Sequence, residues 1–382
     1  MKNPLALKIV LALLCLVMLG LQLRSMSGWN EARGVFDDIC YLRQAHLFQR
    51  FGLAGFDTDM SRDDDGYVRS KFKAIGFPGW KDDKELPCHN TFPATGKVVI
   101  QYPPGPGMVL ALFPEGHQVV PMFALSTIAV FAFACLAIFR ARKGASIVMA
   151  GLFGCLAIYL MINPIKASYS MAPTAVICAL CGYLTARCFS GPEGDRRFAS
   201  LMVLGLLFGL SVNFRLANIL LCGGCSLFLL IDFLKVRRAQ DFWRGAWFAF
   251  ALVVGMLPTL ISYCVNTGSP FTSTYHGAAT VLPLDFSLSV TWEYLKDYLQ
   301  AGLIALAIAG TVGLAREQGT RRVAQVTAAN LAINLAFFLS YGLAVSYYTI
   351  PISLLSLWTL LFAVVEREAR SEPFGQTVFA YL

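Results

Sequence analysis

Residues 119–139 read VVPMFALSTIAVFAFACLAIF, residues 140–144 read RARKG, and residues 145–162 read ASIVMAGLFGCLAIYLMI. Each apolar run has the ~17–25 residues that a bilayer core roughly 30 Å thick demands of a spanning helix. The apolar residues form unbroken blocks, without the period of a half-buried strand or of a soluble amphipathic helix. Two such blocks joined by a short basic turn read as a transmembrane helical hairpin.

Outward from this hairpin the same grammar repeats. Apolar blocks at about 5–23, 171–189, 198–212, 216–234, 242–265, 299–314, 323–345 and 350–365 bring the expected spans to ten. The composition agrees: 57% of the 382 residues are hydrophobic and 14% charged, against roughly 25% charged in a soluble domain. The fold class expected is an all-α polytopic membrane protein.

The formal charge of +8 does not point to a nucleic-acid partner, because the 31 Lys and Arg residues sit mainly between the apolar blocks. With the N-terminus in the cytoplasm, one side collects Arg140, Arg142, Lys143, Arg196, Arg197, Lys235, Arg237, Arg238, Arg316, Arg321, Arg322, Arg367 and Arg370. The short loops of the other side hold little beyond Lys166, Arg215 and Lys296. This is the asymmetry that orients membrane proteins, and it implies ten spans with both termini inside.

The domain organisation follows. Residues 1–23 are a first span, read as uncleaved because Lys2 and Lys8 precede an apolar run with no small-x-small site behind it. Residues 24–118 are a large extracytoplasmic loop, 119–365 a bundle of about nine helices, and 366–382 a cytoplasmic tail. Within the loop, Tyr41, Leu42, Ala45, Leu47, Phe48 and Phe51 fall at helical spacing, the pattern of a juxtamembrane helix lying on an apolar surface.

Most of the eleven cysteines lie in apolar blocks, where a free thiol behaves as a small hydrophobe. Cys40 and Cys88 lie in the polar loop and would pair in an oxidising compartment; two unrelated buried thiols is the alternative. The acidic stretch 57–66 lacks the spacing of a calcium loop and reads as solvated turn. No metal site is expected.

Four extracytoplasmic segments concentrate polar chemistry. Asp37 and Asp38 form an acidic pair just ahead of the juxtamembrane helix, suited to general-base work and equally to capping a helix. Tyr102-Pro-Pro-Gly-Pro-Gly107 is a rigid turn at the membrane. Gly205-x-x-x-Gly209 leads to Asn213 and Arg215, and an arginine there suits a phosphate or a lipid headgroup. Asn266-Thr-Gly-Ser-Pro-Phe-Thr-Ser-Thr-Tyr275-His276 is a polar loop fit to line a sugar pocket or to serve as a turn.

The order of these segments resembles the GT-C superfamily of multispan glycosyltransferases, in particular the bacterial branch related to protein mannosyltransferases and the aminoarabinose transferases of lipid A. Asp37-Asp38-x-x-Tyr41-x-x-x-Ala45-x-Leu47 stands where that family has its acidic pair. Tyr102-Pro103-Pro104, the glycine-rich helix ending at Arg215, the Asn266 to Tyr275 loop and Tyr348-Thr-Ile-Pro351 follow in family order. Arg215 precedes Leu216 where the family usually has proline.

The resemblance implies an inverting transfer of a sugar from a polyprenyl-phosphate donor to a glycan, lipid or protein acceptor at the outer face of a bacterial inner membrane. It implies Asp37 as base, Asp38 as its orienting or acceptor-binding partner, and Tyr41, Tyr102, Lys97, Arg215, Asn266, Tyr275 and His276 as substrate-binding residues. Arg215 would receive the leaving phosphate, with Lys97 and Lys166 as weaker candidates. No cofactor is obligatory, although Asp63 to Asp65 could hold a divalent cation. A transporter or flippase of a lipid-linked sugar is the rival reading, and one expects internal repeats there, of which none is found. A surface-polysaccharide ligase or polymerase would carry its large loop late in the chain.

Overall fold

The computed structural model describes residues 4–29, 31, 36–83, 85–190, 196–275, 288–340 and 344–371. The first helix, α1 (Pro4–Met26), leads into an elaborated loop. The loop holds α2 (Phe36–Phe51), α3 (Tyr67–Ala74), an antiparallel hairpin of β1 (His89–Phe92) and β2 (Lys97–Ile100), and α4 (Gly105–Leu110). The hairpin pairs His89 with Ile100 and Phe92 with Lys97.

The bundle follows as α5 (Val119–Arg140), α6 (Gly144–Leu160), α7 (Met171–Phe189), α8 (Arg196–Val212), α9 (Gly223–Val236) and α10 (Ala239–Thr267). A 3₁₀ stretch, Leu216–Cys222, runs directly into α9. A short α11 (Leu288–Lys296) then precedes α12 (Tyr298–Ala315), α13 (Arg321–Ser340) and α14 (Ile350–Ser371).

Nine of the described helices are long and apolar enough to cross a membrane. The expected span at 198–212 lies in α8, whose 17 residues reach only about 25 Å at ~1.5 Å per residue. The ends of the helices bear on whether α8 is a further pass. Lys8 donates to the Phe139 carbonyl at 2.8 Å, Arg140 meets Glu366 at 3.1 Å, Arg370 bonds the Ser190 carbonyl, and Arg367 pairs with Glu317. The start of α1, the end of α14 and the α5–α6, α7–α8 and α12–α13 turns therefore share one face. A chain that starts and finishes on the same face crosses an even number of times, which fits the nine long apolar helices together with α8.

Layering follows burial. In α14, 83% of the span is buried, against 17% in α1, so α14 is the central post and α1 a peripheral helix. Trp358 of α14 is fully buried, and Gly182 of α7 lets the two helices touch: a Cβ there would stand 2.5 Å from the Cβ of Trp358.

The glycine-bearing face of α8 works in the same way against α10. A Cβ on Gly209 would lie 2.0 Å from the Leu252 carbonyl, and one on Gly205 2.4 Å from that of Phe248. Pro258 interrupts α10 beside this contact, where a helix interior loses a hydrogen bond. Asn213, at the end of α8, splices into the gap. Its amide donates to the Gly255 carbonyl at 2.7 Å and accepts from the Thr259 backbone N–H at 2.9 Å.

The loop proves to be a small domain with its own core of Ile39, Cys40, Met60, Val68, Phe72, Leu86 and Ile100. This extends the expectation for α2. It lies on the apolar bundle core through Tyr41, Leu42 and Ala45, and it is also covered on its other side, where Ile39 and Cys40 face the loop core.

Candidate functional site

The acidic pair opens α2, where carboxylates also favour the helix dipole. Asp38 is buried, while Asp37 retains partial exposure. One turn on, the Tyr41 ring packs 4.9 Å from Tyr102 and 6.2 Å from Tyr169, centroid to centroid, and Tyr102 packs 6.0 Å from Tyr275. Asp37 lies close enough to the Tyr41 and Tyr102 phenols for its charge to act on them. Burial, reinforced by the neighbouring Tyr41 and Asp37, pushes the Tyr102 phenol well above its usual range. Burial and the Asp37 charge likewise raise Tyr41. Both phenols therefore stay protonated at neutral pH.

Two glycines bring these elements together. The Gly105 N–H donates to the Asn213 carbonyl at 2.8 Å, and a Cβ on Gly105 would lie 2.4 Å from that oxygen. A Cβ on Gly107 would lie 2.3 Å from the Cβ of Gln44 on α2, whose amide donates to the Tyr102 carbonyl at 2.9 Å. The Tyr-Pro-Pro turn is thus wedged between α2 and the end of α8, which explains its paired glycines.

Arg215 sits just past that helix end. Asn218 holds the turn after it, donating to Thr174 Oγ1 at 3.1 Å and the Ser211 carbonyl at 2.8 Å. The guanidinium lies 4.2 Å from the Tyr348 ring centroid and 5.3 Å from that of Tyr347. It also contacts the Met171 sulfur at 3.3 Å. Among the described residues no carboxylate pairs with it, although a guanidinium carries five N–H donors. Tyr347 is half-buried, and its phenol feels the charges of both Arg215 and the Asp37–Asp38 pair.

The structure thus brings Asp37, Asp38, Tyr41, Tyr102, Arg215 and Tyr275 to one place. It puts Lys97 and Asn266 elsewhere. Lys97 pairs with Asp57 at 3.0 Å and donates to the Val265 carbonyl at 3.0 Å. Asn266 is fully buried; its oxygen accepts from the Thr58 N–H (2.9 Å) and hydroxyl (3.2 Å), and its amide donates to the Phe56 (2.8 Å) and Ser262 (2.7 Å) carbonyls. With its bonding capacity spent, Asn266 fastens the loop domain to α10. Lys166 lies 6.0 Å from the Trp29 ring. His276 lies outside the described residues. Ser168, Tyr169, Ser170, Met171, Tyr294 and Tyr347 join the site without having been singled out in the sequence.

The acidic stretch 57–65 forms no cation cage. Asp57 pairs with Arg62 and Lys97, Asp63 accepts from the Val68 N–H, Asp64 pairs with Arg50, and Asp65 meets His46 and Arg50. Asp59 accepts from Ser61 and the Val98 N–H, and these bonds outweigh its burial and hold its carboxyl below the usual range.

Cys40 and Cys88 form a disulfide. With His89 their ligand atoms fall within 4.8 Å of one another, but the group does not fit a metal. Arg43 can only donate, so His89 Nε2, 3.0 Å from the guanidinium, must accept. The ring proton is therefore on Nδ1, turned to the Pro87 carbonyl at 2.8 Å and toward the Cys40 sulfur at 3.9 Å. Both sulfurs are committed to each other.

No protein-family model matches this chain, and no curated protein matches it.

Proposed function

We propose that the protein is an inverting glycosyltransferase that moves a sugar from a polyprenyl-phosphate carrier to an acceptor at the extracytoplasmic face of a bacterial inner membrane. The observation that carries this reading is the guanidinium of Arg215, which no carboxylate pairs with among the described residues and which acts on the same tyrosine, Tyr347, as the Asp37–Asp38 pair. The acidic pair can take a proton and the guanidinium can hold an anion. Two features support the orientation. The basic residues gather on one face, the inner face by the charge rule, and the disulfide lies on the other, as expected of an oxidising compartment.

In this reading Asp37 accepts the proton of an acceptor hydroxyl. The acceptor oxygen bonds the anomeric carbon from the face opposite the leaving group, so the configuration inverts. The carbon–oxygen bond to phosphate breaks and the electron pair leaves on the phosphate, whose charge Arg215 receives. A preorganised cation at that position contributes most where charge develops. Asp38, buried behind Asp37, acts as a positioning residue. The tyrosine rings give flat, partly polar surfaces for a sugar. Lys97 and Asn266 serve to hold the loop domain in place.

The test is transfer of radiolabelled sugar from membrane polyprenyl phosphate to extractable acceptor, with wild type, Asp37→Asn and Arg215→Ala in equal folded amounts. Loss of product in both variants is expected. Unchanged product in both would overturn the reading and favour a transporter.

A further inference from the structure

The two halves of the Cys40–Cys88 disulfide have different surroundings. Cys40 has no exposed surface, whereas Cys88 is half-buried at the edge of the loop domain. Cys88 also has φ +56°, a left-handed conformation that a residue with a side chain adopts only when its neighbours force it.

Behind Cys40 lies an unusual buried cation. Arg43 is fully buried; its Nη atoms donate to the carbonyls of Thr58 (2.9 Å) and Asp59 (3.0 Å), and its Nε has no partner. Among the described residues no carboxylate touches it, and Asp63 and Asp59 act only through space. Burial draws its pKa down to about 10, so it remains charged at neutral pH. A buried cation without an anion in contact is unfavourable. His89 stands between Arg43 and Cys40 and presents an N–H toward the Cys40 sulfur. Negative charge on that sulfur would be stabilised by both groups, as thiolates beside cations are.

The geometry points to a thiol–disulfide exchange site, opened by a dithiol reductant at Cys88 with Cys40 as the leaving thiolate. A thiolate of the reductant attacks the Cys88 sulfur, the Cys40–Cys88 bond breaks, and its electron pair goes to Cys40. The second thiolate of the reductant then attacks the mixed disulfide and releases Cys88 as a thiolate. The dithiol ends as a disulfide, the protein gains two electrons, and two protons complete the two thiols. Attack from the other direction is disfavoured, because Cys40 is enclosed.

Opening the bond also cuts a tie next to the acidic pair. Cys40 lies one helical turn beyond Asp37, and Cys88 begins the segment that runs through the hairpin to Tyr102, whose phenol feels the Asp37 charge. Control of sugar transfer by this bond rests on the function proposed above; the exchange chemistry does not.

The experiment uses the full chain in lipid nanodiscs, equilibrated with graded glutathione buffers or dithiothreitol, then alkylated and mapped by mass spectrometry. Glutathione is expected on Cys88, with Cys40 recovered as an alkylated thiol, in protein that keeps its thermal transition. Arg43→Met should lower the reduced-to-oxidised ratio at least tenfold at a fixed buffer, whereas Arg43→Lys should stay near wild type. Glutathione on Cys40, reduction only in denaturant, or a ratio unchanged in Arg43→Met would overturn the proposal. Should Arg43→Met fail to fold, the position of the adduct and its independence of denaturant in wild type decide. Transfer measured on oxidised and reduced protein forms a second arm. Equal rates would remove the coupling to transfer and leave the exchange site standing.

Discussion

The guanidinium of Arg215 lies 4.2 Å from the centre of the Tyr348 ring, and among the described residues no carboxylate meets it. A cation held on an aromatic face is fixed in position yet keeps its N–H edge for another anion. Under the function proposed above, Tyr348 should support binding of the donor phosphate by holding Arg215 in place. Cation–π contacts contribute roughly 0.5–2 kcal/mol, so Tyr348→Leu should weaken binding of a polyprenyl phosphate by about 2- to 30-fold, and Tyr348→Phe much less. Titration of the purified protein with a short-chain polyprenyl phosphate checks this. Equal weakening in both variants would assign the effect to the hydroxyl.

The Tyr-Pro-Pro turn gives a steric prediction. A Cβ on Gly107 would stand 2.3 Å from the Cβ of Gln44, and both belong to well-buried segments with no slack. Overpacking of this kind costs typically ~1–3 kcal/mol, and the displaced turn carries Tyr102 away from Asp37. Gly107→Ala should lower the thermal transition and reduce transfer together. Gly302→Ala in α12, where nothing lies within 4 Å, should lower neither. A normal transition in Gly107→Ala would mean that α2 and α4 can separate freely.

Hydropathy made the spans legible because a spanning helix must be apolar along its whole length, a constraint that needs no tertiary knowledge. The charged ends of α5, α12 and α14 then place their shared face from sequence alone. Other features were not legible. The strands His-Asn-Thr-Phe and Lys-Val-Val-Ile are too short to carry a period, and they form because Ile100 joins a core assembled from five separate segments. Asn213 looked like an interfacial residue, while its use, mending α10 beside Pro258, depends on a helix contact that no local pattern encodes. Lys97 and Asn266 stood in plausible positions in chain order, yet the fold turns them toward the joint between the loop domain and α10. Chain order orders segments along the site; it does not say which side chains face inward.

That joint is itself testable. Asn266 satisfies the Thr58 N–H and the Phe56 carbonyl from the end of α10, and an unpaired buried polar group costs about 1–3 kcal/mol. Asn266→Ala should make the loop domain open more often while the bundle remains intact. The expected readout is faster proteolysis within residues 57–66, about tenfold or more, at an unchanged bundle transition. Lys97→Met, which removes a partly exposed contact with Asp57, should have a smaller effect. Proteolysis unchanged in Asn266→Ala would show that the disulfide and the Arg43 bonds suffice to hold the domain.

His89 gives the pH dependence of the same domain. Burial, with Arg43 beside it, pulls its pKa down to about 3, whereas an unfolded histidine titrates near ~6.5. Between these values the unfolded chain binds a proton that the folded domain refuses. Stability is therefore complete above about pH 6.5 and declines as pH falls toward 3, at up to ~1.4 kcal/mol per pH unit. Asp59, held below the usual carboxylate range, adds a decline of the same sign only below about pH 4. The two contributions separate by window. Trp80, packed on the loop core, offers a fluorescence signal for denaturant unfolding of the domain between pH 4.5 and 7.5. The wild type should lose stability steadily across that range. His89→Gln has nothing to titrate there, so it should start lower and run flat. A slope preserved in His89→Gln would place the proton on another group, and would remove the neutral imidazole from the argument for a thiolate-stabilising Cys40.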